Sequence, residues 1–492
     1  MQRQALNLFF FDSKKLMPIF KKSASASKNS SKDKTAEAKD SKNKTADNSS
    51  FLPKMEVWGK IAKATIYLLV FLAPLFFLPW TFNTLDFNKQ ALVGALVFIA
   101  LLAWILKVLV SAKLELNLNF IIIPIVAFLL IYTISTVFSI WPYGSFWGWP
   151  LNVSAGLLTL LYFVILYFLI SNIFAVSQED KKDNAKKGIF SLLAILVFSG
   201  SLAALFGILQ LFGKFIFPWD FTKVTAFNTV GTVNSLAVFL AILLPLASVL
   251  IFAAKRITRV LLTVSGLIML GVLIIINFWV AWVMLIAGAM IIFIFGMSNL
   301  KAGQKSMHLL QLSLALLVVA SFFVFFKPSI PSFPAMPLEV SLKQKAEITI
   351  AKNSLQGRLF LGAGPGAFVY NFAKFKPQDL NRTIFWNTRF ANGASEALDK
   401  LITTGLLGIA SLLLIFGIFL WNGLKSLTST KDRSSGIPQE KAIGTTPAHR
   451  SFSEGGDETI WFLQLGVFTS FVGSVLAQFL YPANFSLTFL FG

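Results

Sequence analysis

The sequence predicts an all-α membrane protein crossing the bilayer about eleven times, and three observations carry that expectation. Apolar runs of about 18 or more residues recur along the chain, each long enough to span roughly 30 Å of hydrocarbon. Only 13% of the 492 residues are charged and 56% are hydrophobic, with a mean hydropathy of +0.72. Soluble domains carry roughly a quarter charged residues, so this chain falls outside their class. The net charge of +21 gathers in the N-terminal tail and in alternate short connections, which is the signature of membrane orientation and not of nucleic-acid binding. Helices are the expected form, because lipid offers a backbone amide no partner. Cysteine is absent, which excludes a disulfide framework and a thiolate metal site.

Residues 1–60 read as a disordered cytoplasmic tail, because Lys14 to Ser50 is mostly Lys, Ser, Ala, Asp and Asn with little to bury. Spans follow at about Ile61–Trp80, Ala91–Val110, Phe120–Ile140, Leu157–Phe174, Ile189–Leu211, Asn234–Phe252, Val260–Ile276, Trp279–Met297 and Leu309–Phe326. These fill residues 61–326. A polar connection occupies 327–400. Residues 401–492 then hold the last two spans, Leu401–Trp421 and Ile460–Leu480, and an apolar stretch from Phe485 that reads as a truncated twelfth span or an interfacial end.

With the tail inside, the even-numbered connections hold Lys107 and Lys113, Lys181 to Lys187, Lys255 to Arg259, Lys301 and Lys305, and Lys425 to Arg450. The short connections on the other side hold little more than Lys89, Lys214 and Lys223. This asymmetry puts 327–400 on the extracytoplasmic side of the cell membrane. The drawing depends on a tight turn at Asn277-Phe278-Trp279, since one helix from Val260 to Met297 would overshoot the bilayer. No span carries Asp, Glu, Lys or Arg near its centre, and no pair of spans in corresponding halves is broken by Gly or Pro. Both observations count against an ion-coupled pump or transporter.

The long connection is the candidate functional segment, since loops of this length are uncommon in compact proteins without a purpose. Its glycine cluster, Gly362-Ala-Gly364-Pro-Gly366, suits either backbone amides presented to a phosphate or sugar, or a turn between two short amphipathic helices. Its aromatic residues, Trp386 and Phe390 among them, suit stacking on sugar or anchoring at the membrane interface.

Three stretches together resemble the O-antigen ligase and O-antigen polymerase-like family. They are Ser139 to Gly156, with Trp141, Trp147 and Trp149; Phe227-Asn-Thr-Val-Gly231-Thr-Val-Asn234-Ser-Leu-Ala237; and the glycine cluster followed by Phe390 to Gly408. The resemblance covers most of the chain after about Lys60. It implies transfer of a glycan from a polyprenyl-diphosphate carrier to an acceptor hydroxyl on the outer face, with neither metal nor cofactor.

A metal-free site for a diphosphate calls for guanidinium or ammonium groups at headgroup level. Arg389, Arg358 and Lys374 are the candidates, with the backbone at Gly362, Gly364 and Gly366 beside them and Trp386 and Phe390 for sugar stacking. Family members commonly carry a histidine shortly before the next span. Here Ala394 takes that place, Ser395 follows it, and Asn152 lies near the place of an arginine. Glu396 is the nearest candidate general base, with pairing to Arg389 or Lys400 as its structural alternative. The departures leave a second reading open, a non-catalytic protein that binds lipid-linked glycan or assists its assembly.

Overall fold

The computed structural model describes residues 56–112, 120–148, 152–174, 182–298, 304–328, 336–435 and 454–491, with positions 114, 116, 117 and 150. The tail before residue 56 and much of the basic connections expected on the cytoplasmic side, at 175–181, 299–303 and 436–453, lie outside the described residues. Helix α1 spans 56–72. It is followed by α2 (Asp86–Ser111), α3 (Ile122–Val137), α4 (Pro142–Trp147), α5 (Leu157–Ile173), α6 (Lys182–Leu211), α7 (Val233–Ala253) and α8 (Arg256–Ile276). Then come α9 (Trp279–Ser298), α10 (Gln304–Phe326), α11 (Gln344–Leu355), α12 (Phe368–Phe375), α13 (Glu396–Ser435), α14 (Glu454–Leu480) and α15 (Phe485–Phe491). No strand occurs among the described residues.

Eight of these helices, α2, α6 to α10, α13 and α14, are long and apolar enough to cross a membrane; α3 and α5 are apolar but shorter. The protein is a helical polytopic membrane protein. A helix occupies each stretch expected to span, with shifted ends. Helix α2 starts at Asp86 and not Ala91, because Asn83 Oδ1 accepts the Asp86 amide at 2.9 Å and Asp86 complements the helix N-terminus. Lys89, expected in a connection, is therefore helical and fully buried. The apolar run from Val260 to Met297 is two helices. Asn277 closes α8 in the left-handed conformation (φ 51°), accepts from Trp282 Nε1 at 2.9 Å and donates to the Pro328 carbonyl at 3.1 Å.

Helix α7 is the centre of the bundle. It packs against α6, α8, α9, α10 and α14, and its spanning window is 83% buried, which explains why it is apolar on every side. Pro245 interrupts its ladder, and Gly288 of α9 gives the ring room, since a Cβ there would stand 2.7 Å from Pro245 Cγ.

The segment between α10 and α13 folds onto one end of the bundle. Leu342, Ile350, Ala351, Phe368 and Phe372 form a small core with Ile402 of α13. Helix α13 is itself broken at Gly405 (φ 69°, ψ −168°). The backbone groups freed by the break pair with the glycine segment: Ala363 N–H donates to Ile402 O at 3.1 Å and Gly364 N–H to Thr403 O at 2.8 Å. In return, Leu406 N–H donates to Leu359 O at 2.9 Å and Leu407 N–H to Phe360 O at 3.2 Å. The same segment is tied to α3 by Ser135 Oγ on Leu361 O (2.7 Å) and by the Ile140 amide on Ala363 O (2.9 Å).

A Cβ at Gly405 would overlap the Phe360 carbonyl in a left-handed backbone. Gly405→Ala should therefore destabilise the protein by about 1–3 kcal/mol. Gly417→Ala, on the same helix with nothing within 4 Å, should be neutral or slightly stabilising. Thermal melting in one detergent checks the pair; equal melting temperatures would refute the role of the break.

Candidate functional site

At the end of the bundle that carries the long segment, the first turns of α2 and α7 and the 481–484 turn surround an open cavity of about 560 Å³. Its wall includes Phe82, Asn83, Asp86, Thr232, Ser235, Glu339, Asn392, Tyr481 and Asn484, and among the described residues no Lys or Arg lines it. Local sequence explains the shape. Thr232 caps α7 by accepting the Ser235 amide at 3.0 Å, and Asn484 caps α15 by accepting the Leu487 amide at 3.0 Å. Gly231 (φ 148°) lies against the Asn484 side chain, in space a Cβ would fill.

One hydrogen-bond network crosses this cavity. Tyr481 O–H donates to Glu339 Oε1 at 2.7 Å, and Thr232 O–H donates to Glu339 Oε2 at 3.1 Å. Tyr481 Oη also lies 2.9 Å from Thr232 Oγ1 and 3.2 Å from Ser235 Oγ. Burial and the Glu339 charge hold the Tyr481 phenol well above its ordinary range, so it stays protonated and donates. On the α2 side, Asp86 Oδ1 accepts the Phe485 amide at 3.4 Å. One turn on, buried Lys89 donates to the Thr229 carbonyl and to Ser486 Oγ (2.5 Å).

A second polar cluster lies behind the cavity wall. Glu396 Oε2 accepts the amide of Ala483, a wall residue, at 3.2 Å, and Glu396 Oε1 pairs with Lys400 Nζ at 3.0 Å. Lys400 also donates to Tyr132 Oη at 3.2 Å, and Tyr132 O–H donates to the Ala155 carbonyl at 2.5 Å. Asp399 accepts the Gly393 amide at 3.4 Å. Glu347 of α11, fully buried, accepts the Ala394 and Ser395 amides at 2.9 and 3.1 Å, capping α13 from outside its own chain segment. Its other oxygen is buried without a partner among the described residues. Burial, reinforced by the nearby Asp399 charge against the pull of the two amides, pushes the Glu347 carboxyl up to about 8.

The residues singled out from sequence are distributed as follows. Glu396 is buried in the ion pair. Arg358 is exposed and donates to the Phe138 carbonyl at 3.0 Å, at the end of α3. Lys374 and Arg389 are exposed, Lys374 lying 5.1 Å from the Phe375 ring centroid. Trp386 is exposed, and Phe390 packs edge-on against Phe372. Gly362, Gly364 and Gly366 are buried with φ of 64°, 105° and 71°. Arg358, Lys374, Arg389, Trp386 and Phe390 share the long segment but do not line the cavity. Asn152 reaches it indirectly, donating to Asn392 Oδ1 at 2.8 Å. His308 sits at the opposite end of α10, beside Gln311, and His449 is outside the described residues.

Sequence reasoning passed over Glu339, Glu347, Asp86 and Tyr481. The Asp86-x-x-Lys89 pair opening an apolar run was a legible signal. Glu347 and Glu339 have none, since each meets its partners across the fold.

The folded Glu347 pKa of about 8 lies above its ordinary 4.5, so this group's stabilisation is fully present below about pH 4.5 and lost as pH rises through about 8. The melting temperature should drop by about 5 °C or more between about pH 5 and pH 9. Glu347→Gln should remove most of that drop; an unaltered profile in the variant would refute the assignment. Lys400→Met should cost about 3–5 kcal/mol by stranding Glu396, and adding Glu396→Gln should recover much of it, which a double-mutant melting cycle measures.

No protein-family model matches this chain, and no curated protein matches it either.

Proposed function

We propose that this chain is an O-antigen ligase-like membrane protein that transfers glycan from a polyprenyl-diphosphate carrier to an acceptor at the extracytoplasmic face. The observation that carries the reading is the polar cavity at the end of the bundle bearing the long segment. It is sugar-sized, and exposed Arg358, Lys374 and Arg389 stand on that same segment. Ligand cavities of roughly 300–1,000 Å³ with a few converging polar groups are the usual form of a small-molecule site.

In this reading the basic connections lie in the cytoplasm, the chain crosses the cell membrane about eleven times, and residues 327–400 emerge outside. The cationic side chains hold the leaving diphosphate at headgroup level by charge-assisted hydrogen bonds. The acceptor hydroxyl attacks the anomeric carbon, the bond to the diphosphate breaks, and the diphosphate departs with the electron pair and takes up the hydroxyl proton.

One observation favours the second reading, a binding or assembly protein without transferase activity. Glu396, the candidate base, is buried behind the cavity wall, with one carboxylate oxygen on Lys400 and the other on the Ala483 amide, so an acceptor hydroxyl in the cavity does not reach it.

The two readings separate in one assay. Full-length protein in nanodiscs is given polyprenyl-diphosphate glycan with a labelled carrier and a pool of acceptors. Release of free carrier diphosphate is the expected result; saturable binding without release selects the second reading. Replacing Arg358, Lys374 and Arg389 together by Ala should weaken donor binding roughly tenfold or more, and unchanged binding would remove these residues from the site. Protease or label reaching Trp386 only from the cytoplasmic side would overturn both readings.

A further inference from the structure

The cavity's chemistry narrows what it accepts. Helix N-termini attract anions, and both α2 and α7 start at this wall. Each is already matched by a carboxylate of the chain. Asp86 lies in the first turn of α2, and Glu339 takes the hydroxyl of Thr232, the α7 cap. Of the two buried ammonium groups behind the wall, Lys89 is spent on the Thr229 carbonyl and Ser486, and Lys400 on Glu396 and Tyr132. An incoming phosphate or uronate would meet two carboxylates and no cation.

What remains unspent suits a sugar. Asn83 and Asn392 use their side-chain carbonyls within the protein, on the Asp86 amide and on Asn152, which leaves their amino groups to donate to ligand hydroxyls. Glu339 offers acceptor lone pairs beyond its two hydroxyl partners. Phe82, 96% exposed on the rim, presents an apolar face of the kind that packs on the C–H face of a pyranose.

We propose that this cavity binds sugar units without acid groups, uncharged or amine-bearing, through Glu339, Asn83 and Asn392 with Phe82 against a sugar face. It excludes acidic sugars and the carrier diphosphate, which lies outside it on the exposed cations. This inference rests on the reading of the chain as a protein that handles lipid-linked glycan.

The test uses full-length protein in immobilised nanodiscs and four probes: maltotetraose, a glucosamine tetrasaccharide, a galacturonate tetrasaccharide and a polyprenyl diphosphate. Wild type should retain the first two and bind the galacturonate at least roughly tenfold more weakly. Phe82→Ala, at an exposed position that does not threaten folding, should weaken both retained saccharides roughly tenfold. Glu339→Lys should invert the order, gaining galacturonate and losing glucosamine; an unchanged melting curve shows that it is folded, and Glu339→Gln, which keeps the shape, should weaken the glucosamine tetrasaccharide while keeping maltotetraose.

Equal or tighter galacturonate binding by wild type, retention of no tetrasaccharide, or indifference to Phe82→Ala and to both Glu339 changes would each overturn the inference. Polyprenyl diphosphate is a separate readout. Its failure to bind wild type sinks the functional reading, whereas its binding beside the wrong saccharide order sinks this inference alone.

Discussion

A backbone that leaves the helical ladder inside a membrane protein must find partners within the protein, because hydrocarbon supplies none. Helix α13 leaves it at Gly405, and residues 359–364 supply the partners with two amides and two carbonyls. That requirement organises the loop-bearing end. The strap must approach the α13 backbone closely, so Gly362 faces Thr403 and Gly405 faces Phe360 with no room for a Cβ on either side. The strap must also be held from behind, and Ser135 and Ser139 of the α3 end bond the Leu361 and Ala363 carbonyls. An excursion that looks like a free loop in the chain is thus a structural part of the membrane helices it connects.

The residues just before the break carry the second constraint. Glu396, Asp399 and Lys400 occupy the first turns of α13, and Glu347 reaches across to the helix start. Three carboxylates face one ammonium in a buried setting, where like charges are costly. The proton held by Glu347 near neutral pH relieves that excess, and the helix N-terminus, whose amides need acceptors, favours what negative charge remains. Gly393 belongs to the same arrangement, since a Cβ there would take the place of Glu347 Oε1. The cluster docks α11 against α13 by hydrogen bonds where the small apolar core around Ile350 and Phe372 docks it by burial.

Most of the helical layout was legible because its cause is local. Long apolar runs identify helices, and Asn277 marked the α8–α9 turn since Asn tolerates the left-handed conformation better than most residues do. Helix ends were misplaced where polar residues extend a helix: Asp86 and Lys89 read as connection, yet Asn83 starts α2 before them. The broken α13 was not legible either, because Thr403-Thr404-Gly405 inside an apolar run looks like a tolerated glycine. The candidate site was the least legible part. Its members come from the α2 start, the α7 cap, residue 339, residue 392 and the 481–484 turn, and no spacing along the chain brings those together. Arg358 and Arg389 stood out because charge is visible in a sequence, whereas Tyr481 draws its place from Glu339, 142 residues away.

The break and the carboxylate cluster bound the same short piece of chain. Residues 396–404 form a helical segment hung between Glu347 at one end and the strap at the other, and the apolar span proper begins only at Leu406. This explains why charged side chains are tolerated on a helix that otherwise crosses lipid, because they precede the break and lie at the bundle end, paired with one another and with backbone. It also fixes the cavity wall. Glu396 holds the Ala483 amide through its carboxylate and the Tyr481 carbonyl through its own backbone N–H, so Tyr481 is positioned by the segment that the strap restrains. Gly364 on Thr403, the helix from 403 back to 396, Glu396 on Tyr481 and Ala483, and Tyr481 on Glu339 therefore form one continuous chain of bonds. The polar cavity and the glycine segment are separate in sequence and in chemistry, but a single bonded network holds both in place.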